Sequence, residues 1–389
     1  MAASPLQSAS LLDSANELAR RAAASSDEID RERRLVPELA ADMARAGMFR
    51  MLVPASLGGS ELDFPDYLKI VDVFARANGS AAWCLNQNNV FATNSSRIPE
   101  RTARRIWNDP LAVVTNGPPT PDSLAVPVDG GYRLTGRWNF SSGIRHASWV
   151  AALARVRDPQ AIQGPMTDPD VGVTLLIPRD EVEILDVWNV TGLRGTGSFS
   201  FQVNDLFVPE IRSYGGDAPA RNDGPIYVMS TVLMFAAGFG TVALGIARSA
   251  LDTAIELAGA KTPVMTKALL ADLSTTQRQI GLAEAQWAAA RALLGEAVAG
   301  LWGEAQANRE LSVDQRIRLR LAGTHAIRTS ADVVDAAYNL AGATSVFADN
   351  PIQRRFQDVH VITQQAQGRM VHYDTAGKYF LGQEPEGFF

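Results

Sequence analysis

This chain of 389 residues is short of the side chains that form disulfides and metal centres. It has one cysteine, Cys84, so an intramolecular disulfide is excluded and a reducing cytoplasm is expected. Its four histidines are scattered, and neither a cysteine cluster nor an HExxH pattern occurs. We therefore predict a cytoplasmic protein without a metal site.

Basic charge is also scarce. The 36 basic residues are outnumbered by 42 acidic residues, which gives a net charge of −6, and no basic block stands out. The N-terminal stretch lacks the continuous apolar core of a secretion signal. Nucleic acid is therefore not expected as a partner.

One apolar run is long enough to be either a membrane-spanning helix or a buried helix of a soluble bundle. Residues 228–247 carry no charge, over about the length that spans a bilayer. The run stands alone, contains several Gly, Ser and Thr residues, and continues directly into the amphipathic sequence RSALDTAIELAGAK. A helix that is apolar on all sides can equally form the centre of a bundle. We expect a buried helix and no membrane partner.

The pattern of elements changes twice along the chain and predicts an α+β protein with three units. Residues 1–111 show helical periodicity interrupted by a Gly/Pro loop. Residues 112–210 contain short β-branched or aromatic segments, with a hairpin turn predicted at Gly130-Gly131, and favour an antiparallel barrel or sandwich. No GxGxxG joins a strand to a helix there, which argues against a conventional dinucleotide fingerprint. Residues 211–389 carry long helices joined by short turns, which predict an antiparallel bundle.

The stretch GRWNFSSGIRHASW, residues 136–149, carries the most suggestive chemistry. Trp138 and Phe140 alternate with polar neighbours, as in a half-buried strand. Residues 141–143 (Ser-Ser-Gly) then place hydroxyl groups and a flexible backbone beside the two aromatic rings. This combination can hold a planar cofactor, by ring stacking and by a hydroxyl and a peptide N–H directed at an acceptor nitrogen. A strand end followed by a serine-rich loop is the alternative.

The same stretch resembles the flavin-contacting strand of the acyl-CoA dehydrogenase superfamily, and more closely that of its two-component (group D) flavin-dependent monooxygenases. Similar matches at VPASLGGSELDF, GSAAWCLNQNNV, GLRGTGSFSFQVNDLFVPE and residues 339–382 extend the resemblance over nearly the whole chain. It implies an N-terminal helical domain, a middle antiparallel β-barrel domain and a C-terminal four-helix bundle. It also implies a homotetramer, in which a Gly-rich turn contacts the cofactor of a neighbouring subunit.

The resemblance assigns residues to a reduced flavin. It implies that Ser142 makes the contact to flavin N5 and that Phe140 packs on the isoalloxazine ring. Thr115 and Asn116 match the segment that faces the pyrimidine edge. In the Gly-rich turn, the family's Gln and Gly-Gly pair are replaced by Asn and Ala-Gly in NLAG, residues 339–342, so FMN and FAD both stay open. The implied cofactor-binding residues are Thr115, Asn116, Phe140, Ser142, Gly143 and Gly342.

The closing segment departs from both branches of the superfamily. The dehydrogenases carry a glutamate base at the position that Ala366 occupies here. The monooxygenases usually carry a histidine at the position of Gln365, and a glutamine cannot transfer a proton at pH 7. His360, about 140° from Gln365 on a continuous helix, is a substitute only if the helix presents it to the pocket; a structurally bonded His360 is the alternative. Trp83 matches a helix that lines the substrate cavity, although a core tryptophan fits as well. The resemblance thus yields Ser142, His360 and Gln365 as catalytic candidates, and Trp83 and Gln365 as substrate-binding candidates.

Taken together, the resemblance implies the oxygenase component of a two-component monooxygenase. A separate reductase supplies reduced FMN or FAD, O2 adds at flavin C4a to give a (hydro)peroxyflavin, and one oxygen atom passes to a small phenol or indole. Two other functions remain open: an FAD-dependent acyl-CoA dehydrogenase or oxidase, and a flavin-free binding protein on the same fold. The sequence does not identify the substrate or the reductase.

Overall fold

The computed structural model describes residues 5–156, 172–387 and 389. Residues 1–4 of the predicted first unit and 157–171 of the predicted second unit lie outside the described residues. The N-terminal part is helical, as predicted. Its helices are α1 (Pro5–Ala24), α2 (Ser26–Glu32), α3 (Pro37–Arg45), α4 (Phe64–Ala77), α5 (Gly79–Ala92) and α6 (Glu100–Trp107).

Helix α5 lies between the other N-terminal helices, the sheet and the C-terminal helices, and it packs against both α4 and the helix of residues 231–260. Asn78 has an extended backbone and separates α4 from α5. Its side chain accepts a hydrogen bond from the Ala81 N–H at 2.9 Å. This N-cap satisfies one of the free donors at the start of the helix. Nearly every residue of α5 is buried, so its polar side chains need partners inside the protein. Asn86 and Asn89 find these partners within the N-terminal part of the chain, whereas Gln87 and Asn88 bond to strand β1 (Val114–Asn116).

The middle of the chain forms one sheet in the order β6-β7-β3-β2-β4-β5-β8, with β1 paired to β4. The sheet is mixed rather than wholly antiparallel, because β1 and β2 both run parallel to β4. The sequence GPPTP separates these two strands, and proline cannot donate to a strand ladder. The strands are β1 (Val114–Asn116), β2 (Leu124–Val128), β3 (Gly131–Ser141), β4 (Trp149–Val156), β5 (Gly172–Pro178), β6 (Glu183–Leu185), β7 (Phe199–Pro209) and β8 (Ser213–Gly215).

Strand β3 carries two local features that differ from the sequence expectation. Val128 pairs with Gly131, so the hairpin turn is Asp129-Gly130 and lies one residue earlier than predicted. Further along, the register to β7 shifts between Trp138 and Ser141. One extra residue on β3 forms a bulge, which reverses the side on which the following side chain points. The expected alternation of buried aromatic residues therefore ends at the bulge.

Long helices return after the sheet and pack as the predicted bundle. Helix α9 packs against α7 and α8, and α10 packs against α7 and α9. The apolar run that required a membrane test lies in α7, where 78% of the most apolar window is buried inside the chain. The helices are α7 (Thr231–Ala260), α8 (Ser274–Asn308), α9 (Val313–Ala341), α10 (Pro351–Thr363) and α11 (Val371–Phe380).

Candidate active site

Three buried hydroxyl groups form a continuous chain at the end of β3. The indole Nε1 of Trp83 on α5 donates to Ser142 Oγ at 2.9 Å. Ser142 Oγ lies 2.7 Å from Ser198 Oγ, and Ser198 Oγ lies 2.7 Å from Thr196 Oγ1. Thr196 Oγ1 donates to the carbonyl oxygen of Leu193 at 2.8 Å. We call these residues the hydroxyl chain: Trp83, Ser142, Ser198, Thr196 and Leu193.

The peptide groups around Ser142 are also occupied. The Ser142 N–H donates to the Phe140 carbonyl at 2.9 Å, and the Gly143 N–H donates to the Thr196 carbonyl at 2.8 Å. Thr115 Oγ1 donates to the Ser142 carbonyl at 2.6 Å. The prediction of a peptide N–H available for an acceptor nitrogen is therefore wrong at Ser142 and Gly143. The structure nevertheless brings three predicted residues, Thr115, Ser142 and Gly143, into one cluster.

Phe140 projects from the bulge beside this cluster. Its ring is 62% exposed, and its backbone has φ +53°, which is uncommon for a bulky residue. The edge of the ring meets Trp188, with ring centroids 6.2 Å apart. The prediction that Phe140 is half-buried on the same side as Trp138 is wrong, because the bulge turns it outward. A strained backbone together with an exposed aromatic ring indicates a candidate ligand-binding surface.

Helix α5 presents polar side chains to the same cluster. Gln87 lies one helical turn after Trp83, and its Nε2 donates to Asn116 Oδ1 at 2.8 Å. Asn88 Nδ2 donates to the Val114 carbonyl at 3.2 Å. On its other side, the ring of Trp83 stacks on Phe239 of α7 at 3.9 Å. Asn116, predicted to contact the cofactor, thus joins the cluster through Gln87, which sequence reasoning missed.

His146 is a second residue that sequence reasoning missed, although it lies within the central stretch. It stacks on Phe49 at 5.1 Å, and its Nε2 lies 3.2 Å from Asn88 Oδ1. Burial lowers the pKa of His146 to about 4, because the charged imidazolium loses its hydration. A Cβ on Gly143 would lie 2.7 Å from His146 Nε2, so only glycine fits there. His146 is neutral at pH 7 and shapes the turn that carries Ser142.

A buried carboxyl group supports the far end of the hydroxyl chain. Asp358 on α10 accepts a hydrogen bond from the Leu193 N–H at 2.5 Å. Burial, reinforced by the nearby Asp30, raises the pKa of Asp358 to about 7. Leu193 has φ +49°, so this bond holds a strained backbone in place. The sequence offered no local signal for this contact, because the two residues are far apart along the chain.

His360 does not join the cluster in this protomer. It lies two residues after Asp358 on α10, which places it about 200° around the helix. Its Nε2 is 2.8 Å from Asp335 Oδ1 of α9, and the side chain is 40% exposed. It lines a cavity of about 610 Å³ together with Arg328 and Tyr373. The structure therefore gives His360 the bonded position that was the alternative to a catalytic one.

Gln365 lies beyond the end of the helix on which it was expected. Helix α10 ends at Thr363, and Gln365 is extended, with its side chain accepting from the Gln367 N–H at 2.6 Å. Arg328 donates to the carbonyl groups of Thr363 and Gly368 and so holds this turn. The angle predicted between His360 and Gln365 on a continuous helix is therefore wrong.

Gly342 lies apart from the cluster, at the end of α9. Its backbone has φ +59°, and Lys261 Nζ donates to the adjacent Ala341 carbonyl at 2.7 Å. Ala366, the position of the dehydrogenase base, is exposed and opens a short 3-10 turn. Neither position brings a carboxylate to the hydroxyl chain. Asp358 reaches that chain, but through the Leu193 N–H.

Comparison with known proteins identifies the family. The acyl-CoA dehydrogenase N-terminal domain model matches residues 7–110, and the C-terminal domain model matches residues 237–369. Indole-3-acetate monooxygenase from Pseudomonas putida is 30% identical and aligns with 96% of this chain and 93% of its own. The oxygenase subunit HsaA of a flavin-dependent monooxygenase from Mycobacterium tuberculosis is 30% identical over 84% of each chain. The chain belongs to the flavin-dependent monooxygenases of the acyl-CoA dehydrogenase superfamily.

Solved structures of this family share the fold. The crystal structure of the HsaA monooxygenase from M. tuberculosis superposes with a TM-score of 0.87 at 28% identity, covering 98% of this chain and 99% of its own. That of 3-HSA hydroxylase from Rhodococcus sp. RHA1 gives a TM-score of 0.87 at 26% identity, covering 97% and 98%. The predicted fold, enzyme class and flavin cofactor are confirmed, with a mixed central sheet. This flavin-dependent monooxygenase is an oxidoreductase.

The residues at the bulge fit an isoalloxazine. The exposed ring of Phe140 offers an apolar surface for stacking. Ser142 and Asn116 offer polar oxygen atoms beside it, and both are held in position by residues of α5. This chain thus has an aromatic face, a fixed hydroxyl group and an amide near the end of β3.

Proposed function

We propose that this protein is the oxygenase component of a two-component system that hydroxylates a small, electron-rich aromatic compound, phenolic or indolic. A separate reductase delivers reduced FMN or FAD, and O2 is the second substrate. The observation that carries this proposal is Phe140, whose backbone is strained and whose ring is exposed to solvent next to Ser142. The names of two relatives agree with the substrate class: indole-3-acetate monooxygenase, and the oxygenase component of a resorcinol hydroxylase from Rhizobium sp..

The cofactor roles are divided among the residues of the cluster. Phe140 packs on the isoalloxazine ring, and the hydroxyl group of Ser142 lies at flavin N5. Thr115 and Asn116 hold the pyrimidine edge, and the close turn at Gly143 allows the ring to approach. When bound, reduced flavin supplies the electrons that activate O2. The task of this chain is to keep water away from that chemistry and to hold the hydrogen at N5.

Aromatic side chains favour a flat substrate. Trp83 stacks on Phe239, and Phe239 stacks on Phe235 at 5.3 Å, so a row of rings leads from the hydroxyl chain into α7. Trp83 and Phe239 are buried, at 8% and 1% exposure, so Phe235 is the ring of this row that stays partly accessible for an aromatic substrate to stack on. Polar contacts to its hydroxyl or ring N–H come from Gln87 and from Gln365. In Gln365 the oxygen is taken by the Gln367 N–H, which leaves Nε2 as the donor. His360 does not enter this proposal, because its imidazole is held by Asp335 on the other side of α10.

The assembly and the compartment are also proposals. We expect a homotetramer in the cytoplasm, in which Gly342 contacts the cofactor of a neighbouring subunit. The support is the Gly342 backbone at the end of α9, with φ +59°, and the exposed Phe347 that follows it, 63% accessible in the single chain. Size-exclusion chromatography with light scattering measures the number of subunits.

An anaerobic titration followed by an oxygen pulse tests the proposed activity. The purified protein is titrated with reduced FMN and reduced FAD, and oxygenated buffer is added with and without indole-3-acetate or a simple phenol. We expect binding of reduced flavin, a hydroxylated product, and less hydrogen peroxide per O2 when the substrate is present. Ser142→Ala should release more peroxide than the wild type. Failure to bind either reduced flavin would refute the proposal.

The same experiment separates the two alternatives. A dehydrogenase or oxidase retains FAD through purification and accepts electrons from an acyl-CoA, which is tested by bleaching of the flavin absorbance. That outcome is disfavoured by the alanine at position 366, which cannot remove a proton. A flavin-free binding protein gives no spectral change with FMN or FAD in either redox state.

A further inference from the structure

The direction of each hydrogen bond in the hydroxyl chain follows from its fixed end. Thr196 Oγ1 lies 2.8 Å from the Leu193 carbonyl oxygen. A carbonyl oxygen only accepts, so the single hydroxyl proton of Thr196 points to Leu193. The contact of 2.7 Å between Thr196 Oγ1 and Ser198 Oγ must then be made by the proton of Ser198.

The same reasoning determines the state of Ser142. Because the proton of Ser198 points to Thr196, the 2.7 Å contact between Ser142 and Ser198 uses the proton of Ser142. The indole N–H of Trp83 only donates, and it occupies one lone pair of Ser142 Oγ. Ser142 Oγ therefore offers any further group one lone pair and no proton.

The far end of the chain is a fixed acceptor. The Leu193 N–H donates to Asp358, which holds the Leu193 backbone in place. Of the donors to the Leu193 carbonyl, the Thr196 hydroxyl at 2.8 Å is nearer than the Thr196 N–H at 3.1 Å and Trp188 Nε1 at 3.3 Å, and Trp188 Nε1 lies nearer to the Arg194 carbonyl, at 3.1 Å. The three hydroxyl residues are almost inaccessible to water, with exposures of 3% for Ser142, 1% for Thr196 and 4% for Ser198. Bulk water does not compete for their protons.

We infer that Thr196 and Ser198 are positioning residues that make the site selective for the reduced form of the cofactor. The inference rests on the proposed function, in which Ser142 faces flavin N5. N5 of a reduced flavin carries a hydrogen and donates it, whereas N5 of an oxidised flavin has a lone pair and no hydrogen. An acceptor-only Ser142 bonds to the first and opposes the second. The oxygenase therefore takes the reduced flavin and releases the oxidised one.

Binding measurements with both redox forms test this inference without relying on turnover. The dissociation constants of reduced and oxidised FMN and FAD are measured anaerobically by fluorescence or absorbance titration. In Ser198→Ala, the Ser142 proton is freed and can be donated to N5 of oxidised flavin. We expect the preference for reduced over oxidised flavin to fall by about tenfold, which is the size of one hydrogen bond inside a protein. Most of that change should be tighter binding of the oxidised form.

Thr196 supplies a conservative pair of variants. Thr196→Val removes the hydroxyl group that orients Ser198, so it should also reduce the preference. Thr196→Ser keeps the hydroxyl group and should retain the wild-type ratio. Thr375→Val is the matched control, since Thr375 is also buried and donates to a backbone carbonyl, that of Val371 on α11. It should leave the ratio unchanged.

The double variant tests whether the effect passes through Ser142. In a Ser142→Ala background, Ser198→Ala should cause no further change in the ratio. An unchanged ratio in folded Ser198→Ala, with Thr196→Ser and Thr196→Val alike, overturns the inference but leaves the proposed function standing. A wild-type protein that binds neither redox form overturns both. Thermal melting of each variant establishes that it is folded.

Discussion

Trp138 and Phe140 lie two residues apart on β3, yet Trp138 is fully buried and Phe140 is 62% exposed. In a regular strand, residues two apart share one face. The bulge between Trp138 and Ser141 breaks this rule and gives Phe140 a positive φ. The backbone is thus strained at the point where the cofactor ring is proposed to stack.

Phe140→Gly should stabilise the protein while weakening cofactor binding. Glycine tolerates positive φ, and relief of the strain is worth about 1 kcal/mol. Loss of the stacking ring should weaken the affinity for reduced flavin by about tenfold. Chemical denaturation measures the first effect, and anaerobic titration measures the second.

Met265→Gly is the matched control for Phe140. Met265 has φ +66° and is fully exposed. Its replacement should give a similar change in stability with no change in flavin affinity. Equal loss of affinity in both variants would show that the loss comes from the replacement of a positive-φ residue by glycine and not from the missing Phe140 ring.

Trp83→Phe should separate the hydrogen bond of Trp83 from its ring. The phenyl ring keeps the stacking on Phe239 but removes the donor to Ser142. The freed lone pair allows Ser142 to rotate, so we expect about tenfold more hydrogen peroxide per product formed. The ratio of peroxide to product, measured with an oxygen electrode and chromatography, checks this.

Trp287→Phe controls for the loss of a buried indole donor. Trp287 Nε1 donates to the Leu244 carbonyl within the bundle at 3.0 Å. This variant should lose a comparable amount of stability and keep the wild-type peroxide ratio. A raised ratio in Trp287→Phe would contradict the specific role given to Trp83.

His146 should reduce the stability of the protein in acid. Its pKa is about 4 in the folded state and about 6.5 in the unfolded chain. Between these values the unfolded state binds the extra proton, so stability falls as the pH drops from 6.5 towards 4. At pH 5 the loss relative to pH 8 is about 2 kcal/mol. Urea unfolding of His146→Gln at both pH values should lack this loss, and an identical pH profile would refute it.

Asp358 should act in the opposite direction. Its pKa is about 7 in the folded state and about 4 in the unfolded chain. The folded state holds the proton more tightly across this window, so stability falls as the pH rises from 4 to 7. Asp358→Asn keeps an acceptor for the Leu193 N–H and stays neutral, so it should gain about 4 kcal/mol over the wild type at pH 8. If Asp358→Asn were more stable than the wild type at pH 5 but not at pH 8, the raised pKa of Asp358 would be contradicted.

Gly342→Ala should distinguish the two flavins. At φ +59° and ψ −141°, alanine costs about 1–3 kcal/mol in strain. We place this turn at the adenylate half of FAD in a neighbouring subunit, which is the part that FMN lacks. We expect weaker binding of FAD and unchanged binding of FMN. Gly382→Ala, at φ +75°, is the control for strain alone. Equal losses for FMN and FAD would reject this role.

The central stretch illustrates how far local sequence can lead. Its Phe, Ser and Gly residues predicted a cofactor edge because their chemistry is contiguous along the chain. The structure groups Phe140, Ser142, Thr115 and Asn116 near one another, with Trp83 bonded to Ser142. His360 and Gln365 were placed less well, because the helix connecting them was assumed to continue past Thr363.

The sequence by itself determined the character of the three units: it predicts helices in residues 1–111, strands in residues 112–210 and helices again in residues 211–389. It could do so because hydrophobic periodicity is a local property of the chain. The mixed pairing around β4, the outward turn of Phe140 and the orientation of the Ser142 proton are decided by contacts between distant segments. A single extra residue in β3 reverses a side chain, and a carbonyl at Leu193 orients three hydroxyl groups. Such effects depend on which atoms meet, and only the folded chain brings those atoms together.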